Sequence, residues 1–270
     1  MAPQSQICDK HTPAMRESTK LLGLDHGTIG DLTGRTQAGG RTALAISAGA
    51  DGPNGVRIFK GDLEVPNEDA TGAIDDGDRT LLIIADGHQG HYASHELVKR
   101  ALERPIPTDP LDLLSAVLAL ATPPAEHAPG ATTLLLAIWD RRSRQGFGVS
   151  FGDSSLMVIS RTAEPVFTTR KDDNYVAPWN RESLDPRRGH EFEFTVPHDG
   201  IALAFTDGID ECCYENPGHS LQAGDLWGLL EETGGEVNVE AYVRELAELA
   251  LSGVDDHPGG QDNLAIAATR

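Results

Sequence analysis

At 270 residues, with 39% hydrophobic and 24% charged side chains, the chain has the composition of an ordinary globular protein, long enough for one large domain or two small ones. A formal net charge of −20 excludes nucleic acid and anionic membrane surfaces as main partners, because contacts to phosphate need a basic face. Cys8, Cys212 and Cys213 offer neither a disulfide framework nor zinc-ligand spacing, which fits a cytoplasmic location, and no apolar stretch reaches membrane-spanning length.

Residues 1–40 are polar, rich in Gly and Thr and without sustained periodicity. They are expected to form a poorly ordered N-terminal extension, with at most a short helix over 15–22, ahead of a single domain at 41–270. Residues 42–50 predict a strand, 51–55 a turn cluster and 56–59 a second strand. The acidic pair Glu68 and Asp69 then precedes a Gly-rich loop and the apolar run 81–85. Helices are predicted over 92–104 and 110–121, the second with Asp109 as N-cap and Pro110 in its first turn. After a linker at 122–130, strands are predicted over 131–139, 146–151 and 156–160. The irregular, polar stretch 161–190 is long enough to predict a lid or binding flap. An edge-like strand at 191–196 and a buried one from 201 follow. Helices at 221–232 and 239–251, the latter capped by Asn238 and ended by Gly253, lead to a final strand from 264. This order lacks strict βαβ alternation. It predicts an α+β fold, a four-layer αββα sandwich of two antiparallel sheets flanked by helix pairs.

Two units share one grammar. The run Leu81-Leu82-Ile83-Ile84-Ala85 stops at Asp86-Gly87, and Ile201-Ala202-Leu203-Ala204-Phe205 stops one residue short of Asp207-Gly208. Five apolar residues in a row predict a strand covered on both faces. Taken alone, Asp-Gly is a common turn dipeptide. Asp153 and Asp262, however, also lie beside apolar strand-like runs. Four carboxylates at neighbouring strand ends would repel one another unless cations join them. Other motifs carry less. Gly152-Asp153-Ser154-Ser155 lacks the second glycine of a nucleophile elbow, and Gly146, Gly148 and Gly152 miss the dinucleotide fingerprint by one residue. His88 and His91 have ligand spacing that is common on turns.

The motifs Asn67-Glu68-Asp69, Asp86-Gly87-His88 with Gly90-His91, Gly130-Ala131-Thr132, Gly152-Asp153-Ser154, Thr206-Asp207-Gly208-Ile209 with Glu211, and Asp262-Asn263 occur in this order. Together they resemble the motif set of the PP2C-type (PPM family) metal-dependent serine/threonine phosphatases, over about residues 42–270. The resemblance implies the same αββα sandwich and a hydrolase that removes phosphate from phosphoserine or phosphothreonine by a metal-bound hydroxide. By position it implies that Asp86 bridges two Mg²⁺ or Mn²⁺ ions, with Asp207 and Asp262 completing the first. Glu68 and the carbonyl of Gly87 would serve the second, and Asp69 would hold a bound water. Asp153 with Asp207 resembles a third-ion site of bacterial members. His88 would be the general acid, and Asn263 would orient Asp262. Oxygen donors of this kind suit hard ions rather than zinc.

The partners so implied are a phosphorylated protein, the substrate of a serine/threonine kinase, and neither nucleic acid nor membrane; a monomer is expected. One departure stands out: many members place a phosphate-gripping arginine where this chain has Glu64. Arg57 and Lys60 are nearby basic alternatives. Glu64 favours a second reading, a non-catalytic PP2C-like protein-binding module, against which the intact Asp86, Asp207 and Asp262 argue.

Overall fold

A computed structural model describes residues 16–51, 65–122, 130–161, 163–232 and 237–270. The N-terminal half contains β1 (Glu17–Leu22), β2 (Leu32–Thr36), β3 (Thr42–Ser47), β4 (Ala70–Asp75), β5 (Arg79–Ala85) and the two-residue β6 (Gly87–His88). Helices α1 (Tyr92–Leu102) and α2 (Pro110–Leu118) follow. Then come β7 (Ala131–Thr132), β8 (Leu134–Asp140), β9 (Gln145–Phe151), β10 (Ser155–Ser160), β11 (Ala163–Thr168), β12 (His190–Thr195) and β13 (Gly200–Phe205). Helices α3 (Ala223–Glu232) and α4 (Val239–Ser252), the short β14 (Gly253–Val254) and β15 (His257–Pro258), and β16 (Leu264–Thr269) complete the described elements.

Two antiparallel six-stranded sheets form the centre, ordered β1-β4-β5-β8-β9-β12 and β11-β10-β13-β16-β3-β2. The apolar run of β5 explains the layering. Leu81, Ile83 and Ala85 pack with Leu97, Val98 and Ala101 of α1 and with Leu113 and Val117 of α2. Leu82 and Ile84 turn the other way, onto Leu44, Ile46, Ala204 and Ala265 of the second sheet. The outer face of that sheet is covered by Leu226 and Leu230 of α3 and by Tyr242, Val243 and Leu246 of α4. The architecture is therefore α+β with four layers, αββα. Each Leu or Ile buried in this way contributes roughly 1.5–3 kcal/mol, so the doubly covered strands are the most stable part of the frame. The predicted caps are present: Asp109 Oδ1 accepts from the Asp112 N–H at 2.9 Å and Asn238 Oδ1 from the Ala241 N–H at 3.1 Å.

Several elements differ from expectation. The stretch read as a loosely ordered lead-in supplies two edge strands, and the helix expected near 15–22 is β1, paired residue for residue with β4. Its polar sequence has no period of its own, so pairing with a neighbour decides the conformation. The expected Gly-rich loop before residue 81 is β4, whose Ala, Thr and Gly residues give no bulky alternation to read. The first part of the 161–190 flap is β11. Gly146 and Gly148 lie in β9, where an added Cβ would sit 2.2 Å from the Phe194 ring and 2.3 Å from the Phe192 ring. They make room for aromatic side chains of β12. The predicted strand at 56–59, together with Cys8, Arg57, Lys60 and Glu64, lies outside the described residues. Cys212 and Cys213 are buried free thiols. No helix among the described residues is long and apolar enough to cross a membrane.

Candidate metal centre

The loops that follow β5, β9 and β13, and those that precede β4 and β16, meet at one end of the sandwich. Antiparallel pairing puts them there: β5 and β13 run toward this end, and β4 and β16 start from it. Direct contacts join them. The Glu68 N–H donates to Asn263 Oδ1 at 2.9 Å, and the Asn263 amide donates to the Pro66 carbonyl at 2.9 Å and the Ala48 carbonyl at 3.1 Å. Thr206 Oγ1 donates to Asp69 Oδ2 at 2.8 Å while accepting from the Ala265 N–H at 2.9 Å. A Cβ at Gly208 would lie 1.8 Å from the Asn263 carbonyl oxygen, and one at Gly87 would lie 2.5 Å from that of Glu68. Both glycines of the Asp-Gly units are thus needed for close approach of a second loop.

Asp86 is 3% exposed and its backbone is held on both sides. Its N–H donates to Thr133 Oγ1 at 2.9 Å, which in turn lies 2.6 Å from Ser154 Oγ. Its carbonyl accepts from Thr132 Oγ1 at 2.7 Å and from the Thr133 N–H at 2.9 Å. Ser154 brings in the neighbouring loop, so Asp153 enters the same space. Among the described residues, Asp86, His88 and Asp153 form a group whose ligand atoms all lie within 4.8 Å of one another. Asp153 Oδ1 is buried and has no hydrogen-bond partner, while Oδ2 accepts from the Tyr175 hydroxyl at 2.9 Å. Two carboxylates and an imidazole, with one buried carboxylate oxygen open to a ligand, are the donor set that a divalent cation takes.

The other expected residues reach this end without joining that tight group. Glu68 and Asp69 are fully buried, Asp207 is 8% exposed and Asp262 is half-buried. Asn263 lies beside Asp262, whose Oδ1 accepts the Asn263 N–H at 2.7 Å, and it also fixes the Glu68 backbone.

Several participants carried no sequence signal. Ser94 Oγ donates to the Glu68 carbonyl, and His95 Nε2 lies 3.1 Å from the Asp69 carbonyl. Burial, and then the neighbouring His91, push the His95 imidazole down to about 3, so the ring is neutral at ordinary pH. Donation to that carbonyl assigns its proton to Nε2. Tyr175 packs edge-on against His88 with ring centroids 4.2 Å apart. Burial, and then the hydrogen bond and charge of Asp153, push its phenol well above the usual range and keep it a donor. Lys171 is 2.8 Å from Asp210 and 3.1 Å from Glu211, which ties the flap to the Asp207 loop. Spacing in the sequence could suggest none of these, because each acts on a residue from a distant segment.

No protein-family model matches the sequence, and no curated protein does. Solved structures do match in fold. A single-site variant of a bacterial serine phosphatase aligns with a TM-score of 0.59 and 18% identity, covering 84% of this chain and 96% of its own. RsbX in complex with magnesium aligns at 0.53 and 13%, covering 88% and 98%. PppA, a regulatory component of T6SS in Pseudomonas aeruginosa, aligns at 0.55 and 17%, covering 85% and 96%. The chain has the PP2C-type phosphatase fold.

Proposed function

We propose that the protein is a Mg²⁺- or Mn²⁺-dependent phosphatase acting on phosphoserine or phosphothreonine in proteins, in the cytoplasm and as a monomer. The observation that carries this reading is the Asp86, His88 and Asp153 group at the strand ends of a PP2C-type fold. Asp86 and Asp153 would hold a divalent ion, with Asp207, Asp262, Glu68, Asp69 and the Gly87 carbonyl as the further donors for two or three ions. Such ions lower the pKa of water and offset charge on a phosphoryl group.

The chain's own residues do the rest. Thr132 and Thr133 fix the backbone of Asp86, so its carboxylate is aimed before any ligand arrives. Asn263 locks the Glu68 backbone and the Asp262 carboxylate into one register. His88, on the strand-end turn and braced by Tyr175, would deliver a proton to the departing serine or threonine oxygen. No cysteine nucleophile is required by this scheme. The fold relatives include a serine phosphatase and a magnesium complex, which supports both the substrate class and the ion.

The test is p-nitrophenyl phosphate turnover with Mn²⁺, wild type against Asp207→Ala. Metal-dependent hydrolysis that falls on the order of 10³-fold in the variant is expected. Absent turnover would instead make the protein a non-catalytic binding module, and metal-independent turnover would overturn the metal-dependent reading.

A further inference from the structure

The segment between β11 and β12 is strapped to the site at several points. Asp172 and Gly152 exchange backbone and side-chain bonds: the Asp172 N–H donates to the Gly152 carbonyl at 3.0 Å, and Asp172 Oδ1 accepts the Gly152 N–H at 2.9 Å. Asp172 Oδ1 also accepts the Asn174 N–H at 2.8 Å, and Oδ2 lies 2.8 Å from His190 Nε2. Val176, fully buried, pairs with Thr132 through two N–H···O bonds of 2.8 Å. Tyr175 lies between these anchors, so its side chain has little freedom to leave the site.

That side chain touches two members of the donor group that come from different loops. The hydroxyl takes Asp153 Oδ2, and the ring edge abuts His88. A carboxylate with one oxygen held by a fixed donor cannot spin freely, so its other oxygen, Oδ1, keeps one direction. We infer that Tyr175 is a positioning residue of the candidate metal centre: its hydroxyl orients Asp153 and its ring seats His88. Asp153 Oδ1 then enters the site already aligned with Asp86, and the His88 imidazole is held beside the two carboxylates. The inference rests on the function proposed above, and it assigns the segment a role in metal affinity.

The experiment compares Mn²⁺ binding by titration calorimetry in wild type, Tyr175→Phe and Tyr242→Phe, alongside thermal unfolding of the metal-free proteins. Phenylalanine keeps the Tyr175 ring against His88 and removes only the bond to Asp153. The expected result is Mn²⁺ affinity lowered by about 10–100-fold with the midpoint of unfolding little changed. Tyr242, whose buried hydroxyl donates to the Leu226 carbonyl at 2.9 Å, is the structural control. Tyr242→Phe should lower the unfolding midpoint and leave Mn²⁺ affinity alone.

If Tyr175→Phe binds Mn²⁺ as tightly as wild type, the inference fails while the phosphatase reading stands. If its affinity loss only tracks a loss of folding stability, the tyrosine is structural and the inference also fails. If wild type itself takes up no Mn²⁺, the proposed function falls, and this inference with it. A wild type that binds Mn²⁺ without hydrolysing phosphate leaves the affinity comparison decisive.

Discussion

The two ends of the sandwich handle acidic side chains in opposite ways. At the tip of the β4–β5 hairpin, each carboxylate meets an arginine: Asp75 with Arg141, Asp76 with Arg79 and Asp78 with Arg142. At the other end of the same strands, Asp86 and Asp153 face each other and His88 within 4.8 Å. One hairpin thus carries a charge-balanced end and a charge-concentrated end. Balance serves the fold, and concentration sets up repulsion that a bound cation would relieve.

Removing one charge at each end should give opposite results. Asp86→Asn is expected to lower Mn²⁺-dependent turnover on the order of 10³-fold. It should also raise the stability of the metal-free protein by about 1 kcal/mol, read by urea unfolding. If the metal-free protein is instead destabilised, the two ends do not differ as described. Thr133→Val sharpens the same point one step back from the carboxylate. It removes the acceptor for the Asp86 N–H, with an expected loss of about tenfold in activity and about 1–2 kcal/mol in stability.

At the far end, Arg141→Met should cost about 1–3 kcal/mol and leave metal-dependent kinetics unchanged. Burial alone would raise the Asp75 carboxyl, but the hydrogen bonds from Arg141 and Gly77 and the arginine charge outweigh it and hold it below the usual range. A lowered folded-state value means stability that is present above the unfolded value and lost as pH falls through the folded one. The gap between wild type and Arg141→Met should therefore be full at neutral pH and shrink below about pH 4. Arg142→Ala is the smallest change. That pair is 73% and 58% exposed, so stability should move by less than about 0.5 kcal/mol.

How much of this was legible in the sequence depended on whether a residue's role is local. The strands 81–85 and 201–205 declared themselves because burial on both faces demands an unbroken apolar run. The helices beginning at Pro110 and Val239 were marked by caps that act within one turn. The Asp-Gly units were visible for the same reason. By contrast, β1 and β4 owe their conformation to the strands they pair with, so neither shows a pattern alone. Tyr175, His95 and Thr133 were invisible because their meaning lies in Asp153, Asp69 and Asp86, which the fold brings near from other segments. The departure at Glu64 lies outside the described residues.

Thr71 Oγ1, in the first sheet, lies 3.2 Å from the carbonyl oxygens of both Ile83 beside it and Ile266 across the interface. That oxygen belongs to β16, which slots between β13 and β3. During synthesis, the ribosome releases this strand well after its two neighbours, so the second sheet stays split until residues 264–269 emerge. Asn263 arrives at the same moment and completes the acidic end. Among the described strands, β16 is thus made last, and with it comes the residue that joins the loops before β4 and β16.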